Sequence, residues 1–197
     1  MAFETVKRNL EERGFTVTVF ATAAEAAEYI NAQVDNTTVG IGGSMTVQSM
    51  GLYEKLAEHN EVHWHWVNGP GEHVPASTTD VYLTSANGLS EAGEIINIDG
   101  AGNRVASTLF GHRKVYFIIG KNKLAPTYDE ALWRARNIAA PKNAQRLGKK
   151  TPCAVNGDRC YDCSSPDRIC RALAVLWGPP KGIGHVEVIV VNQTLGL

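Results

Sequence analysis

The polarity pattern of this chain alternates between the helical and the strand period. Phe3, Val6 and Leu10 recur at helical spacing, with Glu4 four residues ahead of Arg8, so Met1 to Arg13 is expected to form an amphipathic helix closed by Gly14. The β-rich run Phe15 to Phe20 predicts a strand. Thr22 and Glu25 have capping-box spacing, each side chain serving a backbone N–H near the other, and they open an Ala-rich helix that reaches Ala32. Thr38 to Ile41 predicts a short buried strand running into Gly42 and Gly43, and Met50, Tyr53 and Leu56 mark a helix over Met45 to His59. Val62 to Val67 alternates, which predicts a strand with His63 and His65 on one face and Trp64 and Trp66 on the other. Asn68 to Gly71 reads as a loop.

In the second half, Val81 to Ala86 and Glu94 to Ile98 predict strands, and Ala101 to Phe110 a short helix ended by Gly111. Val115 to Ile119 is apolar at every position, the mark of a strand buried on both faces. Thr127 and Glu130 form a second capping box, opening a helix that Pro141 is expected to stop after Ala140. Val186 to Val191 closes the series as a strand. Short strands alternating with capped helices predict an α/β fold, a mostly parallel open sheet with helices on both faces. No repeat or linker divides residues 1–197, so one domain is expected, with a Cys-rich segment at 151–171.

Composition narrows the partners. Lys plus Arg (19) nearly equals Asp plus Glu (20), so no global field steers the chain toward nucleic acid, and only a local anion site is in prospect. The charged N-terminal segment is unlike a signal peptide and no later stretch predicts a membrane span, which makes a cytoplasmic protein the expectation.

Three constellations carry candidate chemistry. Gly40, Gly42, Gly43, Ser44 and Thr46 lie where a strand passes through glycines into a helix, a turn that exposes backbone N–H groups to an anion; Ser44 and Thr46 add hydroxyls. The same residues also suit a plain tight turn with Ser44 as N-cap, and neither a Walker loop nor a complete G-x-G-x-x-G is present. Ser85 and Asn87, with Asp99, Asn103 and Arg104, form the second set, since Ser85 and Asp99 are expected at carboxyl ends of strands and Arg104 can clamp an acid bidentately. Turns at Asn87-Gly88 and Asp99-Gly100 with a solvated Arg104 are the alternative. The third set is Cys153, Cys160, Cys163 and Cys170, spaced C-x6-C-x2-C-x6-C, which suits a zinc ion or a [4Fe–4S] cluster, or else free thiols and pairwise disulfides. His63 and His65 read as a ligand pair or as surface packing; His73, His112 and His185 read as surface or capping residues. Lys121 and Lys123 read as an anion contact or as solvated lysines.

The stretches Val39-Gly40-Ile41-Gly42-Gly43-Ser44-Met45-Thr46, Ser85-Ala86-Asn87, Gly93 to Ala106 and Asn137 to Ala144 together resemble the lactate-utilisation domain family, formerly a domain of unknown function, nearly from end to end. The resemblance implies a fold similar to ribose-5-phosphate isomerase and coenzyme A transferases. It also implies a part in bacterial oxidation of lactate to pyruvate, beside iron–sulfur or oxidoreductase partner subunits. No appended C-x2-C-x2-C-x3-C run is present. The resulting expectation is a subunit of organic-acid utilisation that binds an anionic small molecule at the Gly-rich loop, faced by Asp99, Asn103 and Arg104. Two alternatives stand beside it. One is a stand-alone phosphosugar isomerase or acyl-coenzyme A transferase-like enzyme with Glu91 or Asp99 as its working carboxylate. The other is a non-catalytic assembly subunit.

Overall fold

The computed structural model describes residues 3–197; Met1 and Ala2, which open the predicted N-terminal helix, lie outside the described residues. Ten strands and ten α-helices follow in order: α1 (Phe3–Glu12), β1 (Thr16–Phe20), α2 (Ala23–Gln33), β2 (Thr38–Ile41), α3 (Met45–Ser49), α4 (Leu52–Ala57), β3 (Glu61–His63), α5 (His65–Asn68), α6 (His73–Ala76), β4 (Val81–Thr84), β5 (Gly88–Ser90), β6 (Ile95–Asp99), α7 (Asn103–Ser107), β7 (Lys114–Gly120), β8 (Leu124–Ala125), α8 (Tyr128–Arg134), α9 (Ala140–Arg146), α10 (Pro152–Asn156), β9 (Ala172–Leu176) and β10 (His185–Val191).

The main sheet has six strands in the order β1-β10-β7-β4-β2-β3, every pair parallel. Its centre, β7 and β10, is apolar on both faces because both faces are covered. Tyr116, Ile118, Ile189 and Val191 point to one side and pack with residues of α2, α3 and α4. Val115, Phe117, Ile119, Val188 and Val190 point to the other, where Val6 and Leu10 of α1 meet them. One charged residue interrupts β10. Glu187 is buried, pairs with Lys114 at 2.9 Å and accepts hydrogen bonds from Thr18 and Tyr29. Burial alone would raise its carboxyl, but these partners outweigh that and hold its pKa below the ordinary value.

A smaller sheet, β8-β5-β6-β9, lies beside the first. It is mixed, with β5–β6 and β6–β9 antiparallel and β5–β8 parallel, and Ile96 and Ala125 pack on Ala131 and Ala135.

Four expected elements change shape for local reasons. The Met45–His59 helix breaks in two because Gly51 takes a left-handed φ of 62°, open to glycine without strain. The Val62–Val67 strand ends at His63, the last β3 residue paired with β2 (to Gly40), and α5 begins at His65. Gly102, at φ 88°, delays the next helix to Asn103. Pro141 does not stop the helix after Ala140. A π-helical turn over Ala135–Ala139, with the Ala140 N–H bonded to the Ala135 carbonyl, widens the ladder so that Pro141 sits in the first turn of a renewed helix, where no N–H is needed. Both predicted capping boxes form, at Thr22–Glu25 and Thr127–Glu130. No helix among the described residues is long and apolar enough to cross a membrane.

Candidate functional site

Because β2, β4 and β7 are parallel neighbours, their carboxyl ends lie at one edge of the sheet, the usual place for ligands in open α/β folds. A cavity of about 560 Å3 opens there. Gly43, Ser44 and Met45 come from the end of β2; Ser85, Ala86 and Asn87 from the end of β4; Lys123 from the turn after β7. Asp99, Asn103 and Arg104 form the facing wall, and the outer wall comes from α9 and from residues 166–169 and Arg171 of the Cys-rich segment.

The glycine turn divides its labour. Ser44 caps α3, its Oγ accepting from the Val47 N–H at 3.2 Å. Of the glycines, Gly43 lines the cavity, whereas Gly40 and Gly42 serve close packing. A Cβ on Gly40 would collide with the Ala76 carbonyl, and one on Gly42 would lie 2.8 Å from the Tyr82 hydroxyl and 3.1 Å from the Arg104 side chain. Thr46 faces inward to Lys123.

The second set converges as the sequence places it, with altered roles. Arg104 Nη1 donates to the Ser85 carbonyl (3.0 Å) and Asn97 Oδ1 (2.7 Å), and its Nη2 donates to Asn87 Oδ1 (3.1 Å) and the Ile98 carbonyl (2.6 Å). Its fork therefore ties the β4 loop to β6, and its charge, not a free bidentate face, is what the cavity receives. Asp99 accepts from the backbone N–H groups of Gly100, Arg104 and Val105 at 2.8 to 3.1 Å, so its carboxylate caps α7. Glu91 stands away from the cavity walls, its backbone tied to Asn9 and Ala125.

The residue with the sharpest chemistry is Lys123, 4% exposed and not the solvated lysine that its sequence position also allowed. Its Nζ donates to Thr46 Oγ1 at 2.9 Å and to Ser85 Oγ at 2.8 Å, and it forms no ion pair among the described residues. Those hydroxyls in turn donate to the carbonyls of Leu195 and Ile118. Burial, reinforced by the charges of Arg134 and Arg104, pushes the Lys123 amine down to about 7. Arg134 is itself buried and holds the Asn122 and Asn87 carbonyls, each at 2.6 Å, which fixes the loops on either side of Lys123. No local pattern marks this position: Lys123 ends a short turn ahead of Leu124-Ala125, a strand of the second sheet.

Sequence reasoning also separated two histidines that the fold unites. His65 and His73 stack with ring centroids 4.1 Å apart at the cavity wall, each with a buried Nδ1 lacking a partner. Burial first, then the neighbouring His73, lowers the pKa of His65. His63 is not beside His65; it bonds Glu72 at 2.7 Å. His112 is buried rather than at the surface, stacked on Tyr82 with its Nδ1 on the Thr79 carbonyl.

The cavity is strongly cationic. Arg104, Lys123, Arg146, Lys149, Arg168 and Arg171 line it, against Asp99 and Asp167. Both carboxylates accept backbone N–H groups, Asp167 from Lys150.

The four thiols are free and partly buried. Cys153 contacts Thr151, Cys170 accepts from Arg168 at 3.2 Å, and the Cys160 sulfur lies 3.9 Å from Arg136. No group of three or more His, Cys, Asp or Glu side chains gathers around a common point among the described residues. Cys153, Cys160, Cys163 and Cys170 as arranged do not supply the shared shell that zinc or a [4Fe–4S] cluster needs.

A structure titled as a DUF162 family protein from Deinococcus radiodurans superposes on 96% of this chain and 95% of its own, with a TM-score of 0.59 and 17% identity, a likeness that establishes the fold. No curated protein matches the chain. The model of the LUD domain matches residues 3–191, almost the whole sequence. The chain belongs to the LUD-domain family, which is associated with lactate utilisation.

Proposed function

We propose that this protein binds a small organic acid, of the lactate and related carboxylate class, in the cavity at the carboxyl edge of the main sheet. It does so as a subunit of a lactate-utilisation system, beside iron–sulfur or oxidoreductase partners. The single observation that carries the reading is the charge of the cavity: Arg104, Arg146, Lys149, Arg168 and Arg171 line it beside the Lys123 amine, against two acidic side chains already occupied by backbone donors. In a cleft walled by protein an anion gains more from such charges than it would in bulk water. Gly43, Ser44 and Met45 form the floor on one side. Asn103 and the Arg104 charge define the opposite wall.

A second reading draws on size. A cavity of about 560 Å3 has room for more than a three-carbon acid, so a phosphosugar or the thiol end of an acyl-coenzyme A also fits. Thermal-shift titration of the purified protein with lactate, pyruvate, ribose 5-phosphate and acetyl-coenzyme A separates the two. Stabilisation by the carboxylates at lower concentration supports the first reading; stabilisation by the phosphorylated ligands alone replaces it with the second.

A further inference from the structure

Lys123 is more than a fixed positive charge. A buried ammonium without a counter-ion is an unfavourable way to hold an anion, and a methionine of similar length would fill the same space without the desolvation penalty. Its surroundings instead suit the free amine. Ser85 Oγ and Thr46 Oγ1 use their own protons on the Ile118 and Leu195 carbonyls, so both must present lone pairs to Nζ and accept from it. Two amine N–H bonds are thereby fixed in direction. The third tetrahedral corner of the neutral nitrogen is its lone pair, held on a side chain that lines the cavity.

We propose that Lys123 is a nucleophile that condenses with the keto group of a 2-oxo acid, the oxidised counterpart of a 2-hydroxy acid, to form an imine. The proposal rests on the carboxylate reading of the cavity. In the first step the Nζ lone pair bonds to the keto carbon, the carbonyl electron pair moves to oxygen, and one amine proton passes to that oxygen, giving a carbinolamine. In the second, the hydroxyl leaves with the remaining amine proton as water and the nitrogen lone pair closes the C=N bond. No oxidant or reductant is consumed. Burial first, then the charges of Arg134 and Arg104, favour the neutral amine before attack, which is how lysines that form Schiff bases are activated in desolvated, cationic surroundings.

The test is reductive trapping of the full chain. Pyruvate and sodium borohydride are added at pH 7 to 8, and the product is read by intact mass and peptide mapping. The expected result is one reduced pyruvyl adduct per chain on the peptide containing Lys123, none with lactate, which has no keto group, and none in Lys123→Arg. Mapping of the wild-type adduct decides the matter even if that variant does not fold. A folded protein that gains no adduct, or gains it only on exposed lysines such as Lys142 or Lys181, overturns the proposal. Lactate binding measured alongside keeps the two readings apart. Binding of lactate without trapping of pyruvate removes the imine alone, whereas trapping at Lys123 without lactate binding removes the hydroxy-acid reading and leaves the imine.

Discussion

Replacing Lys123 by methionine should make the protein more stable at neutral pH, and the structure gives the size of the effect. The amine falls from 10.5 to about 7 on folding. Between those values the unfolded chain binds a proton that the folded chain does not, so stability rises with pH across this window and the full penalty is felt below pH 7. At ~1.36 kcal/mol per pH unit, the penalty at pH 7 is roughly 4 to 5 kcal/mol. Lys123→Met removes it together with two hydrogen bonds worth about 1 kcal/mol each. The hydroxyls of Thr46 and Ser85 keep their carbonyl acceptors, so no donor is orphaned. The net gain should be about 2 to 3 kcal/mol at pH 7, or roughly 5 to 10 °C in Tm for a chain of this size. It should shrink as pH rises and cross zero near pH ~9, where the unfolded lysine begins to lose its own proton. Urea unfolding of both proteins at pH 7, 8 and 9.5 measures the difference, and taking it between the two proteins cancels titrations common to both. A variant less stable than wild type at pH 7, or a difference that does not change with pH, would refute the placement of an uncompensated buried amine.

Gly42→Val should destabilise the protein by about 1 to 3 kcal/mol through overpacking against Tyr82 and Arg104. Gly43→Ala, whose added carbon would rest 3.3 Å from the Trp66 ring, should fold normally and weaken ligand binding; denaturation and calorimetric titration of the pair check the division. Glu187→Gln should cost about 2 to 3 kcal/mol at pH 7 by leaving Lys114 without its carboxylate. The folded pKa of Glu187 lies below 4.5, so its contribution is complete above that value and lost as pH falls through the folded one. The gap between variant and wild type in acid denaturation should close accordingly.

The parts of this architecture that could be read from the sequence are those set by local rules. β7 declares itself by an unbroken apolar run and β10 by one that only Glu187 interrupts, and the helix starts after Thr22, Thr127 and Ser44 by capping geometry, because period and caps depend on near neighbours. The location of the cavity followed in part from the same logic: Gly43, Ser44, Ser85 and Asn87 reach its walls since strand ends in a parallel sheet share an edge, whereas Asp99, Asn103 and Arg104 reach the facing wall from β6 of the smaller mixed sheet and from α7. Roles were less legible than places. Whether Arg104 faces a ligand or four protein acceptors, and whether Asp99 is a base or a helix cap, depends on contacts across the fold. The strand β5 has only three residues and β9 pairs only with the distant β6, and the π turn that accommodates Pro141 is a response to packing that no local pattern encodes. Lys123 is the extreme case, since a lysine in a turn reads as solvated until the C-terminal residues and the Ser85 loop close over it.

Calorimetric titration of lactate and pyruvate into wild type and Lys123→Met at pH 7 tests whether the cationic cavity takes an organic carboxylate and whether Lys123 engages its keto form. Saturable binding of one carboxylate per chain to the wild type is expected for both acids, with pyruvate binding weakened and lactate binding kept in Lys123→Met, where Arg104, Arg146, Lys149, Arg168 and Arg171 still line the cavity. A folded wild type that takes up neither acid would contradict the carboxylate reading, and wild-type pyruvate affinity in Lys123→Met would contradict the part given to Lys123.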